Sequence, residues 1–204
     1  MARPRSFDEQ AVLDSAMRQF RAAGYAGTTL DDLSAATGLG RGSLYASFGG
    51  KHALFMRALG EYARQILDEV RGMLDGPDET AVRRLRDFIA AGARFVIDDA
   101  DRLGCMAGKC AYEVGDQDEE AREIIRKVFV DQQRLIRDCV TAAQRYGDLD
   151  PDADPGPIAY LVLSLSRGFD VMAKGGIGAT DLDATAERAF QGLPLTSRYE
   201  ARRA

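Results

Sequence analysis

Apolar residues recur along nearly the whole chain at the spacing of a helix face, and no stretch alternates convincingly as a strand would. Val12, Leu13, Ala16, Met17 and Phe20 form the first stripe, with Ser6 and Glu9 read as a capping box before it and Gly24 as its stop. A short helix follows from Leu30, with Thr29 as N-cap and Asp32 reaching back, and Gly38 ends it. Another runs from Arg41 to about Phe48, where Gly49 and Gly50 break the chain. The stripes then lengthen. Leu54, Phe55, Leu59, Tyr62, Ile66, Val70 and Leu74 mark a fourth helix, and Leu85, Phe88, Ile89, Gly92, Phe95 and Val96 a fifth. A sixth covers Cys105 to Val114, and Ala121, Ile125, Val128, Leu135 and Cys139 trace a seventh. Ile158 to Ala173, apolar on nearly every side, is an eighth, and Leu182 to Phe190 a ninth. The pattern predicts an all-α chain of about nine helices.

The second and third helices are joined by the tight turn "TGLG". Leu30 and Leu33 share one face, as do Leu44 and Phe48, so both helices need a core shared with the first. That is the pattern of a helix-turn-helix. Packing those faces leaves the other side of the third helix free to enter a DNA major groove, with its N-terminal residues nearest the base edges. Arg41 can grip a guanine through two hydrogen bonds, Ser43 is a less selective partner, and Gly42 lets the backbone approach. Thr28, Thr29, Tyr45 and Lys51 are the candidates for phosphate contacts, Lys51 at a helix start that itself favours an anion. Arg3 and Arg5 precede the first helix as a candidate arm.

Composition changes this picture little. The chain of 204 residues is 46% hydrophobic, enough for a sizeable core. Its net charge of −5 gives no hint of a nucleic-acid partner, although the residues through Arg57 carry seven Lys/Arg against five Asp/Glu and the rest 20 against 27. Neither a signal peptide nor a membrane span is expected, since the most apolar run, "IAYLVLSLS", stops at Arg167. Three cysteines do not make a disulfide framework, and a reducing cytoplasm is the expected location.

The stretch "GYAGTTLDDLSAATGLGRGSLYASFGGKHALF" resembles the N-terminal DNA-binding module of the TetR family of bacterial transcriptional regulators. The matching positions are Gly24, Thr28, Thr29, Leu33, Gly38, Gly42, Leu44, Tyr45, Phe48, Lys51 and Leu54. Gly40 and Gly50 stand where the family often has a capping hydroxyl, and His52 where it has an acid. The resemblance implies a DNA-binding domain over residues 1–50 and a larger domain over 51–204 that binds a small-molecule effector and dimerises. It implies a repressor that meets double-stranded operator DNA as a homodimer and is released by the effector. Polar residues inside apolar stretches of the larger domain are the effector candidates: Arg94, Lys109, Tyr112, Glu113, Tyr160 and Arg167. Phe95, Met106, Phe169 and Met172 are their apolar companions. The eighth helix and the ninth-helix stripe of Leu182, Ala186, Ala189, Phe190 and Leu193 are the expected dimer surface, making four helices with a second copy.

"GCMAGKCAYEVGD" is similar to a segment in a subset of the family, some of whose members sense electrophiles or oxidants through the cysteine after the glycine. Cys105 stands there at a helix start, with Arg102 and Lys109 nearby to favour a thiolate; the alternative is a small apolar residue filling that start. Cofactor and metal are not implied. There is one histidine and no paired-cysteine spacing, and the alternating Asp148, Asp150, Asp152 and Asp154 lack the glycine and the closing glutamate of a calcium loop, so a solvated acidic loop is expected. An enzyme finds little support, because the single histidine lies in the DNA module and no nucleophile has a base beside it. A ligand-binding protein whose head no longer binds DNA is the remaining alternative.

Overall fold

The computed structural model of the chain describes residues 7–203. Among these residues there are ten α-helices, a 3-10 turn at Asp78–Thr80 and no strand. The tenth helix escapes sequence reading because "SRYEARR" carries no apolar stripe. The chain forms two compact units: residues 1–65 with 105–126, and residues 66–104 with 127–204. The division does not follow a cut after residue 50, because the sixth helix packs with the first unit.

In the first unit, α1 (Glu9–Ala23) opens on Asp8, whose Oδ1 accepts from the backbone N–H groups of Gln10 and Ala11 at 2.9 and 3.4 Å. The cap is therefore Asp8 in place of the expected Ser6, and Glu9 turns to pair with Arg57. Ser6, Arg3 and Arg5 lie outside the described residues. Val12, Leu13, Ala16, Met17 and Phe20 are buried, the predicted stripe. α2 (Leu30–Thr37) carries the predicted capping box between Thr29 and Asp32, and Gly38 ends it in the left-handed region that glycine adopts without strain. α3 (Arg41–Phe48) starts on Gly40 with no side-chain cap. Leu33, Leu44 and Phe48 are buried, and the Phe20 and Phe55 rings meet edge to face at 5.2 Å. α4 (Lys51–Leu74) begins here and contributes its residues through Gln65.

α6 (Met106–Glu113) brackets the end of α1. Lys109 Nζ donates to the carbonyls of Arg21 and Ala22 at 3.1 and 2.9 Å, placing a cation where the helix dipole is negative. Glu113 accepts from the Tyr25 N–H at 2.7 Å. The first turns of α7 (Glu119–Tyr146) complete the unit.

In the second unit α5 (Ala81–Arg94) packs on α8 (Pro155–Lys174) and α9 (Ala179–Gln191). The α9 stripe of Leu182, Ala186 and Phe190, with Leu193, is buried inside the unit. Those four side chains of the stripe expected at a dimer surface pack within the chain, on α5 and α8, while Ala189 stays half-buried. α8 keeps an uncovered apolar side instead, with Tyr160, Leu161, Val171 and Met172 exposed. α10 (Ser197–Arg203) brings Arg202 to Asp148, which is buried, so the acidic loop is not uniformly solvated. Asp154 caps α8 by accepting from the Gly156 N–H at 2.8 Å.

Candidate nucleic-acid interface and regulatory cavity

α3 is eight residues long, with Leu44 and Phe48 on its buried side. One helical turn separates them, so Arg41, Gly42, Ser43 and Tyr45 fall on the open side, and all four are exposed. Nothing lies within 4 Å of where a Cβ would stand on Gly42, so that surface is bare backbone. Gly38 and Gly49 let the chain turn sharply at either end of this short element, with φ of 70° and 82°.

Arg41 is not a dangling cation. Its Nε and Nη2 both donate to the Asp31 carboxylate, an exposed ion pair across the helix-turn-helix corner. The Arg41 guanidinium holds the Asp31 carboxyl below its usual range. Asp31 was missed because an acid in the first turn of a helix reads as a dipole partner, and nothing in a linear pattern places it beside a residue ten positions on. Lys51 rests its Nζ 4.3 Å from the centre of the Tyr25 ring, a cation–π contact that holds its ammonium on that ring. Thr29 is exposed, with its hydroxyl and N–H both bonded to Asp32. Thr28 is corrected: it is 1% exposed, and its hydroxyl donates to the Gly24 carbonyl at 2.6 Å, so it braces the turn and has no free hydroxyl face for a phosphate.

The expected effector residues do not converge on one site. Lys109 and Glu113 hold α1, Met106 is core, and Tyr112 is 90% exposed. In the second unit Arg94 pairs with Asp183 on α9, Phe169 is core, and Tyr160 lies on the open side of α8. Phe95 and Arg167 alone of the ten named candidates line the same cavity, a space of about 70 Å³ that also touches Ile66, Val70, Met73 and Phe88. Gln132 joins them, buried on α7 among apolar neighbours. Its signal was legible as a polar residue on the stripe of Val128, Leu135 and Cys139.

The thiols differ in setting. Burial pushes the Cys110 thiol up to about 12 and raises that of Cys139, so both are held protonated. Cys105 is buried too, but its Sγ accepts from the Gly108 N–H and from the Tyr62 hydroxyl, each at 3.3 Å, as the cap of α6. Among the described residues no cluster of three His, Cys, Asp or Glu can hold a metal ion.

A short outward-facing helix on a three-helix core, with an arginine at its N-terminus, defines a helix-turn-helix DNA-binding protein. Known proteins agree with the geometry. Residues 12–58 match the family model described as bacterial regulatory proteins, tetR family, and residues 81–191 match the tetracyclin repressor-like C-terminal domain. The chain belongs to the TetR family of bacterial transcriptional regulators. It is 29% identical over 175 residues to the HTH-type transcriptional repressor ComR of Escherichia coli (strain K12), spanning 85% of this chain and 83% of ComR. It is 30% identical over 179 residues to the HTH-type transcriptional regulator YezE of Bacillus subtilis (strain 168), spanning 85% and 90%. Among solved structures, a cysteine mutant of the TetR family regulator CifR, complexed with a 26-bp double-strand operator DNA, superposes with a TM-score of 0.79 at 32% identity over 95% of this chain and 100% of that one. ComR is a transcriptional repressor, YezE a transcriptional regulator, and CifR a transcriptional regulator held on its operator DNA; the present chain is a DNA-binding transcriptional repressor of the same type. No described helix is long and apolar enough to cross a membrane.

Proposed function

We propose that this repressor binds a palindromic operator as a homodimer, reads it through Arg41 and Ser43, and is released when a small molecule occupies the cavity beside Phe95 and Arg167. The observation that carries the DNA half is the outward turn of α3, with Leu44 and Phe48 buried and Arg41, Gly42, Ser43 and Tyr45 exposed. Arg41 supplies base selectivity, Lys51 and Tyr45 hold phosphates, Thr29 keeps its donors on Asp32, and Gly42 admits the backbone closely. The dimer forms through the open side of α8, where Tyr160, Leu161, Val171 and Met172 leave an apolar strip in water that a second copy of the same helix covers. Two reading helices then meet grooves about 34–36 Å apart. α4 starts at Lys51 and carries Ile66, Val70 and Met73 of the cavity wall, so an occupant that shifts α4 shifts the population of DNA-competent dimers.

The test is selection of operator fragments from genomic DNA at low salt, followed by fluorescence anisotropy. Arg41→Ala is expected to weaken the selected operator about ten- to hundredfold and to relax base preference. Unchanged affinity removes Arg41 from the role, and failure to retain any fragment favours a helical ligand-binding protein without DNA activity. Leu161→Glu is expected to give a monomer by light scattering that binds half-sites weakly.

One observation favours a second reading, release through a thiol. Cys105 Sγ accepts two hydrogen bonds as the cap of α6, so an adduct on that sulfur displaces both and unseats the start of the helix. Intact-protein mass after maleimide treatment tests it. Absence of an adduct on Cys105, or an adduct that leaves operator binding intact, discards this reading.

A further inference from the structure

The cavity of the second unit leaves polar atoms without partners. Arg167 Nε and Nη1 are buried and meet no acceptor, and Gln132 Oε1 is buried and meets no donor. Gln132 as a whole is 2% exposed. Both side chains line the same space as Phe88 and Phe95. Glu69 lies on its rim, exposed, and forms no ion pair with Arg167. Arg167 is half-buried, and its two buried N–H groups, held in apolar surroundings without an acceptor, cost the folded chain free energy that an arriving anion recovers. Water can satisfy the Gln132 amide, but it does not neutralise the guanidinium.

We propose that the effector is a short-chain monocarboxylate whose carboxylate accepts from the buried N–H groups of Arg167 while its tail lies against Val70, Phe88 and Phe95. This rests on the reading of that cavity as the regulatory site. Three features select the class. Arg167 is the one cation in the lining, and the Glu69 carboxylate, also in the lining, is exposed and screened by water, so a monoanion is matched and a phosphate dianion is not. The walls are otherwise aliphatic and aromatic, which rewards an alkyl or alkenyl tail. The volume of about 70 Å³ is far below that of a drug-sized pocket and admits only a few non-hydrogen atoms. The space is also closely bounded: a Cβ on Gly92 would stand 3.0 Å from Ser166 Oγ, so α5 and α8 approach here without room for a side chain between them. Ser166 spends its hydroxyl on the Val162 carbonyl at 3.1 Å, leaving Arg167 as the donor for the carboxylate.

The experiment titrates the full-length chain with a series of short monocarboxylates and, in parallel, with the neutral primary amides and alcohols of the same chain lengths. Calorimetry and thermal shift read binding, and anisotropy reads operator release. Carboxylates are expected to bind, raise the melting temperature and release operator, with the amides and alcohols inert at the same concentrations. Arg167→Gln is expected to weaken the best carboxylate roughly thirtyfold or more, with circular dichroism of the variant reporting its fold. Arg167→Lys, which keeps the charge and loses the fork, is expected to retain part of the affinity and serves if the glutamine variant does not fold. Equal binding by Arg167→Gln, or binding by the neutral series with the carboxylates inert, overturns the inference. In the second case, operator release by a neutral compound leaves the regulatory cavity standing and only the ligand class falls. If neither series binds, the inference falls, while operator recognition through α3 remains to be judged by its own measurement.

Discussion

Gly24 ends α1 at φ 79° and ψ 174°, a region that residues with a Cβ occupy only under strain. An alanine there would also put its Cβ 2.1 Å from Glu113 Oε1, inside the carboxylate that accepts the Tyr25 N–H. The Gly24→Ala substitution therefore has two costs of different origin. Backbone strain contributes about 1–3 kcal/mol. Displacing the carboxylate forfeits a charge-assisted hydrogen bond, about 1.5–3 kcal/mol, with the lower end apt because the contact is only part-buried. The stiffer unfolded chain returns about 0.4–1 kcal/mol. The expected net loss is about 2–4 kcal/mol, large against a typical total stability of about 5–15 kcal/mol. The assay is urea unfolding of the full chain by far-ultraviolet circular dichroism, a convenient signal in a helical protein that lacks tryptophan. A double-mutant cycle separates the two costs. With Glu113→Ala the clash and the bond are already gone, so Gly24→Ala should cost at least about 1 kcal/mol less than in the natural background. Equal costs in both backgrounds, or a total below about 1 kcal/mol, would refute the claim that Glu113 and the backbone geometry at Gly24 together hold the end of α1.

Leu44→Ala empties a fully buried site under α3 and should cost about 2–5 kcal/mol in the same unfolding assay; a loss under about 1 kcal/mol would place Leu44 outside the core. Asp31→Asn removes the carboxylate that holds Arg41 and lowers the negative charge of the reading face, so operator binding should tighten across a salt series; equal or weaker binding would mean that Asp31 positions Arg41 productively. Lys51→Ala should weaken binding across sequences and reduce the salt slope by about 1, and an unchanged slope would leave its ammonium on the Tyr25 ring in the complex. Glu61 is held at about 2 by Arg64, with help from Gln65 and Gln10, below its ordinary 4.5. Its folded-state value is depressed, so its contribution is present above pH 4.5 and is lost as pH falls towards about 2. Glu61→Gln should therefore be less stable near neutral pH and indistinguishable near pH 2; a constant difference across that window would contradict the ion pair as the cause.

The helices of the DNA-binding unit were legible because each is marked at both ends and striped between. Thr29 with Asp32, and Gly38 and Gly49 after the apolar pairs, specify start, stop and buried face within a few residues of each other. The exposure of Arg41, Gly42, Ser43 and Tyr45 follows from the burial of Leu44 and Phe48 by helical periodicity alone. Thr28 was misjudged on the same logic, since a threonine beside a cap looks free in a sequence, and only the turned chain brings the Gly24 carbonyl to its hydroxyl. The effector candidates were harder, because a cavity lining and a core have the same composition. Phe95 and Phe169 read alike, yet one lines the space and the other fills the interior.

What this amino-acid sequence determined by itself was local: which segments are helical, where each stops, and which side of α3 turns away from its own core. Those outcomes depend on spacings of three and four residues and on glycines and caps beside them. Tertiary structure decided everything that needed partners far apart in the chain. It set Asp31 on Arg41, clamped α1 with Lys109 and Glu113, buried the α9 stripe against α5, left α8 open, and buried Gln132 Oε1 and two N–H groups of Arg167 without partners. The physical reason is that a stripe or a charge states what a residue needs, while which distant group meets that need depends on how the helices pack.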